Sequence, residues 1–298
     1  MSGGAGRLPP RRHLLPMVAQ KWGASENAAN RIANGERAGL MLPDLSIEFV
    51  TALLPFIAVG FLAQLVDGAL GMAFGLITNL MLVGFVGLVP ARASANVHLV
   101  ECFTTAASAV SHIIYRNVDW GLLARLAIPG MIGGAGGAYL LSNIDASIAR
   151  PFVMAYLAGI GVYLLWRAWR LDHGPPARAP RLVPPLGLVG GFLDAAGGGG
   201  WGPIVTSNLL IQGASPRTTI GTVNTAEFLV TMAVSASFVS QLGVAAFSTA
   251  VVGLIIGGLL AAPFGAIIAS RVSAVRLLLM VGVLLIATSL YSLWQSLA

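Results

Sequence analysis

From about position 47 the chain alternates long apolar runs with short stretches of proline, glycine or charge. The pattern predicts membrane segments near 47–66, 74–89, 94–115, 120–142, 148–168, 186–196, 203–212, 217–240, 245–269 and 274–296. The third stands apart. In SANVHLVECFTTAASAVSH (94–112), Ser94, His98, Glu101, Thr105, Ser108 and His112 recur at steps of four and three, which puts them on one helix face. Val97, Leu99, Val100, Phe103 and Val110 fill the other faces. A carboxyl group and imidazoles in a lipid-embedded helix are costly, and they normally face a bundle interior, a water-filled cavity or a substrate path. The stripe predicts one wall of a transport pathway. A polar packing seam between helices is the plainer reading.

The apolar runs divide the chain into a basic tail (1–45), a first membrane half (46–169), a linker (170–185) and a second membrane half (186–298). The tail predicts disorder or a surface helix. No secretory apolar region follows its early arginines, so a cleaved signal peptide is not expected. The linker, RLDHGPPARAPRLVPP, is rich in arginine and proline and is expected on the cytoplasmic side. Five crossings back from it, the N-terminus falls outside. The basic tail argues the other way, but only Arg31 and Arg37 stand near the first segment.

Composition sharpens this picture. Of 298 residues 56% are hydrophobic and 9% charged, against about 25% charged in soluble domains. The formal charge of +6 sits mainly in the tail and loops, where it orients a membrane protein, and no nucleic-acid module is present. Cys102 is the single cysteine, so no intramolecular disulfide can form; it reads as a packing residue. No metal-ligand spacing and no cofactor motif is found. The 37 glycines suit close helix packing and broken helices.

The two halves repeat. Asp67 pairs with Asp194, 127 residues on; Gly71, Thr78 and Asn79 pair with Gly200, Ser207 and Asn208 at 129. Pro90, His98, Glu101 and Thr105 pair with Pro216, Asn224, Glu227 and Thr231 at 126. Repeated intramembrane polar residues in one order are a stronger signal than repeated apolar ones. Five segments per half is an odd number, so the halves should be inverted in the membrane, with a site at the midplane between discontinuous helices. The fold class predicted is an all-α polytopic membrane protein with two pseudo-symmetric inverted repeats, about 8–10 segments and broken or re-entrant half-helices. The breaks fall at Asp67-GALGMAFG-Leu76 and Asp194-AAGGGGWGP-Ile204. Freed backbone N–H groups at such a break favour an anion. The run Gly197–Gly200 is not a phosphate loop, because no Lys-Ser/Thr follows it.

At these residues the sequence resembles the sulfite exporter TauE/SafE family, also called the toluene sulfonate uptake permease family. The resemblance rests on GFLAQLVDGALGMAFGLITNLML and VPARASANVHLVECFTTAASAVSH, then on GFLDAAGGGGWGPIVTSNLLIQGASPRTTIGTVNTAEFLVTMAVS, and it covers about 50–296. It implies transport of a sulfur-containing anion such as sulfite or a sulfonate, often outward, across the bacterial inner membrane.

Candidate roles follow for the repeated residues. Asn79 and Asn208 offer amide donors, Thr78 and Ser207 hydroxyls, and the stretches Gly71-Met72 to Phe74 and Gly200-Trp201-Gly202 backbone N–H groups for an oxyanion; for each Asn, capping a helix break is the competing reading. Glu101 and Glu227 fit proton carriers, with His98 or Asn224 beside them and Thr105 and Thr231 further along the pathway. Asp67 and Asp194 fit caps of the breaks. His112 reads as interfacial. Arg92 and Arg217 either draw anions to the entrances or mark interfaces.

The leading function is a secondary transporter by alternating access with proton coupling. A passive anion channel, a cation transporter using the two glutamates, and an intramembrane enzyme using His98, Glu101, Cys102 and Ser108 are the alternatives. The enzyme is disfavoured, because the repeat duplicates the acid without a nucleophile. The expected partners are the small sulfur oxyanion or organosulfonate, membrane lipid and a second copy of the chain.

Overall fold

In the computed structural model of the protein the described residues are 47–70, 72–170, 180–247, 249–271 and 274–297. Readings of the basic tail, of Gly71 and of most of the linker fall outside them. Thr51–Ala298 form one compact unit; of the residues before it, only the first turn of a helix is described.

The described residues are helical and contain no strand. The order is α1 (Ile47–Leu70), α2 (Phe74–Gly84), α3 (Pro90–Ile114), α4 (Trp120–Asn143), α5 (Ala146–Arg170), α6 (Val183–Gly197), a π turn (Gly202–Thr206) running into α7 (Ser207–Ile211), α8 (Pro216–Leu242), α9 (Thr249–Arg271) and α10 (Ala274–Leu297). Lipid offers no partner for backbone N–H and C=O, so each apolar run must satisfy its own as a helix. α3 opens on Pro90 and α8 on Pro216, in the first turn, where a missing N–H costs nothing. Asp119 caps α4, its carboxylate accepting from Leu122 N at 3.0 Å.

Some boundaries differ from those the sequence predicts. α1 continues through Asp67 to Leu70, because the Asp67 side chain reaches forward past the break and its backbone can stay helical. α2 stops at Gly84: Val86 N bonds to Met81 O and Leu88 N to Leu82 O, wrapping 85–89 into a turn. Val183–Pro185 join α6 rather than the linker. The segment at 203–212 opens as a π turn, where Pro203 has no N–H to hold the tighter α pitch.

α3 and α8 cross at the centre of the bundle; α4 packs on α6 and α8, α9 on α3, and α5 on α10. α1 meets α9 through glycine: a Cβ on Gly60 would stand 2.5 Å from Leu254 O. The equivalent Gly187 on α6 would place one 2.5 Å from Leu126 O on α4. Other contacts recur at the repeat offset. Asn96 Nδ2 donates to Ala246 O at 3.2 Å, and Asp119 N donates to Thr222 Oγ1 at 2.9 Å. His98 lies against Phe238, and Asn224 against His112.

Four helices among the described residues are long and apolar enough to cross a membrane: Val50–Asp67, Pro90–Ile114, Ala146–Trp169 and Arg217–Leu242. Leu62, Phe103, Val110, Ile132, Phe152, Leu259, Met280 and Trp294 are large, apolar and exposed, as a lipid-facing surface requires. The protein is an all-α integral membrane protein.

Candidate functional site

The two helix breaks lie next to each other and line a small, partly open cavity. Its wall brings together Asp67, Met72–Leu76, Glu101, Gly200–Pro203 and Glu227. Residues from α1, α3 and α8 thus meet both breaks.

Each break is tied by an aspartate that reaches seven residues ahead. Asp67 Oδ1 accepts from Ala73 N at 2.7 Å and from Phe74 N at 3.1 Å. Asp194 Oδ1 accepts from Trp201 N at 2.9 Å, while its own carbonyl accepts from Gly199 N at 2.8 Å. A carboxylate here gains from the freed N–H groups of the next helical turn. The N–H groups of Ala73, Phe74 and Trp201 are therefore already occupied, and they do not stand open as a cradle for a bound anion.

The second break is further braced from the first half. Asp194 Oδ2 lies 3.1 Å from His98 Nε2, and Ser94 Oγ donates to Ala195 O at 2.8 Å. Asn79 Nδ2 donates to Gly197 O at 3.2 Å. Tyr156 Oη donates to Gly199 O at 2.9 Å. Gly198, Gly199 and Gly200 take φ of +76°, +134° and +140°, a backbone that side chains strongly disfavour. A Cβ on Gly198 would also stand 2.0 Å from Asn79 Nδ2, and one on Gly200 2.0 Å from Tyr156 Oη.

Glu101 is 5% exposed, lines the cavity, and its Oε2 has no partner. Thr105 Oγ1 donates to Glu101 O on its own helix, and Thr231 Oγ1 to Phe228 O. Both hydroxyls thus serve the helix backbone. Thr78 and Ser207 are fully buried with unpartnered hydroxyls behind the cavity wall, and neither lines it. Asn79 also stands behind the wall, against the glycine turn.

Two members of the repeat part company. Asn208 is exposed, and its Oδ1 accepts from Gln212 Nε2 at 2.6 Å, one turn on. Asn224 turns away from the cavity to His112 Nε2 at 3.5 Å. His112 in turn lies 3.3 Å from Asn117 Nδ2, so it is half-buried in a polar cluster. Arg217 Nε donates to Asn117 Oδ1 at 2.6 Å, joining that cluster, and Arg92 is exposed.

The profile described as "Sulfite exporter TauE/SafE" matches residues 56–292. The chain belongs to this family. It is also 44% identical over 223 residues to the "Probable membrane transporter protein YtnM" of Bacillus subtilis (strain 168), an alignment covering 72% of this chain and 73% of that protein. No solved structure matches.

This TauE/SafE chain is a membrane transporter with two site residues that the sequence pattern did not single out as such. Tyr156 is one aromatic residue in an apolar helix, and only the glycine turn moulded round it reveals its part. Arg167 sits among the tryptophans at the end of α5 and reads as an interface marker. In the structure it is half-buried, and its Nη1 donates to Met72 Sδ at 2.8 Å, on the cavity wall.

Proposed function

We propose that the protein is a secondary transporter that exports a small sulfur-containing anion, such as sulfite or an organosulfonate, across a bacterial inner membrane, and that protons drive it. The observation that carries this is the meeting of Glu101 and Glu227, one from each half, in a single cavity between the two helix breaks. Asp67 lines the same cavity. Three ionised carboxylates repel an anion strongly at low dielectric. Substrate therefore enters when a proton sits on Glu101 or Glu227, and the neutral carboxyl then donates to an oxygen of the anion. Release of both resets the site. His98, fixed between Ser94 O and Asp194, is the adjacent imidazole through which that proton can pass.

Alternating access between inverted halves draws support from the contacts that recur at the repeat offset, above all Asn96 with Ala246 and Thr222 with Asp119. The chain does no covalent chemistry on its cargo in this reading. It works within lipid and needs no cofactor.

The test is radiolabelled sulfite counterflow in proteoliposomes, with sulfonates as competitors. Wild-type protein should show saturable exchange that responds to a pH gradient. Glu101→Gln should keep exchange but lose the response to the gradient; a native gradient response in that variant removes Glu101 from the coupling. A second reading, a cation carrier, draws on the same three carboxyl groups. It predicts sodium or potassium uptake that Glu101→Gln and Glu227→Gln abolish.

A further inference from the structure

An anion entering this cavity needs hydrogen-bond donors, and several of the obvious ones are taken. The break N–H groups of Ala73, Phe74 and Trp201 go to the two aspartates, and Trp201 Nε1 donates to Val223 O at 3.2 Å. The asparagines stand behind the wall or outside the bundle. Glu101 adds an unpartnered, buried carboxyl oxygen, which marks an unfinished polar site.

A strong donor that reaches the cavity wall is Arg167, whose Nη1 meets Met72 Sδ. A guanidinium has five N–H groups in a planar fork that fits the paired oxygens of an oxyanion. Arg125, Arg150 and Arg217 each donate to an oxygen. Arg167 instead donates to the thioether of Met72, a weak acceptor on a flexible side chain. Among the described residues it has no carboxylate partner within ion-pair distance. A half-buried guanidinium that rests on the sulfur of a cavity-wall residue can trade that weak acceptor for the oxygens of an anion.

We infer that Arg167 recognises the transported anion: its guanidinium exchanges the Met72 sulfur for two oxygens of a sulfite- or sulfonate-type group at the cavity edge. The inference rests on the transport reading for the identity of the cargo, but the binding step stands apart from transport. Three oxygens on one sulfur allow two to meet the fork while the third faces a protonated Glu101 or Glu227. A spherical anion such as chloride offers the fork one atom rather than two spaced oxygens, so Arg167 favours oxyanions over halides.

The experiment measures sulfite and methanesulfonate binding to the purified full-length protein by calorimetry, alongside sulfite counterflow, for wild type, Arg167→Gln, Arg167→Lys and Met72→Leu. Arg167→Gln should weaken sulfite binding at least about tenfold, with an unchanged melting temperature. Arg167→Lys keeps the charge without the fork, so it should bind sulfite at an intermediate level and lose preference over chloride. It also serves if Arg167→Gln fails to fold. Met72→Leu removes the competing sulfur and should bind at least as tightly as wild type. Binding that depends on Arg167 without any counterflow upholds the inference and overturns the transport reading. Counterflow with the same half-saturating sulfite in wild type, Arg167→Gln and Arg167→Lys overturns the inference and leaves the transport reading standing. Wild-type protein that neither binds nor exchanges these anions overturns both.

Discussion

Asn79 and Asn208 occupy matching places in the two repeats, yet one is fully buried and the other is exposed. Asn79 Nδ2 holds Gly197 O, and its side chain fills the space beside Gly198. Asn79→Ala should therefore strip a donor from a buried carbonyl and open a void at the glycine turn, costing about 1–3 kcal/mol. Asn208→Ala should stay within about 0.5 kcal/mol, because the side chain only bridges to Gln212. Thermal melting of both variants in one detergent checks the contrast, and equal losses would mean that burial does not separate them. The sequence could not draw this line. Repeat position says which residues correspond, not which way each turns, and the deciding neighbour, Gln212, lies outside the repeated motif. Tyr156 was hidden for a related reason: its partner is a backbone carbonyl, which no side-chain pattern reveals.

Among elements, the helix order was legible because apolar runs, prolines and glycines are local signals. Which helices touch was not, since any of the glycine-rich faces might have met any other. The structure resolves this by pairing α1 with α9 and α6 with α4 at backbone-to-backbone distance. Gly60→Ala and Gly187→Ala should each push a methyl group into a carbonyl of the facing helix, at about 1–3 kcal/mol or more. Gly159 sits in α5 with nothing within 4 Å of its would-be Cβ. Gly159→Ala should be neutral or slightly stabilising, as expected for an unobstructed helical site. Melting temperatures of the three variants test the assignment: a Gly159 variant as damaged as the others would put the close contacts elsewhere.

At the scale of the whole molecule, two loops each fasten onto the start of a central helix. The stretch after α3 bonds to Thr222 on α8 through Asp119 N, and the stretch after α8 bonds to α3 through Ala246 O and Asn96. If access alternates, one fastening must open while the other stays closed. Paired cysteines at Asp119 and Thr222, or at Asn96 and Ala246, in a Cys102→Ala background should stop sulfite counterflow when oxidised and restore it when reduced. Full exchange with either crosslink formed would exclude alternation at these loops. The repeated polar order in the chain predicts two related halves. Where the loops close needed the folded chain, because one atom of each bond is backbone.

The bracing of the second break has one more consequence. Gly197–Gly200 and Asp194 belong to the second half, but Asn79, Ser94, His98 and Tyr156, which set their geometry, all belong to the first. The second half is not a freestanding module. The instructions for one hinge are written in the other half of the text, so a chain severed in the linker would yield two fragments, the second of which acquires its shape only by finding its mate.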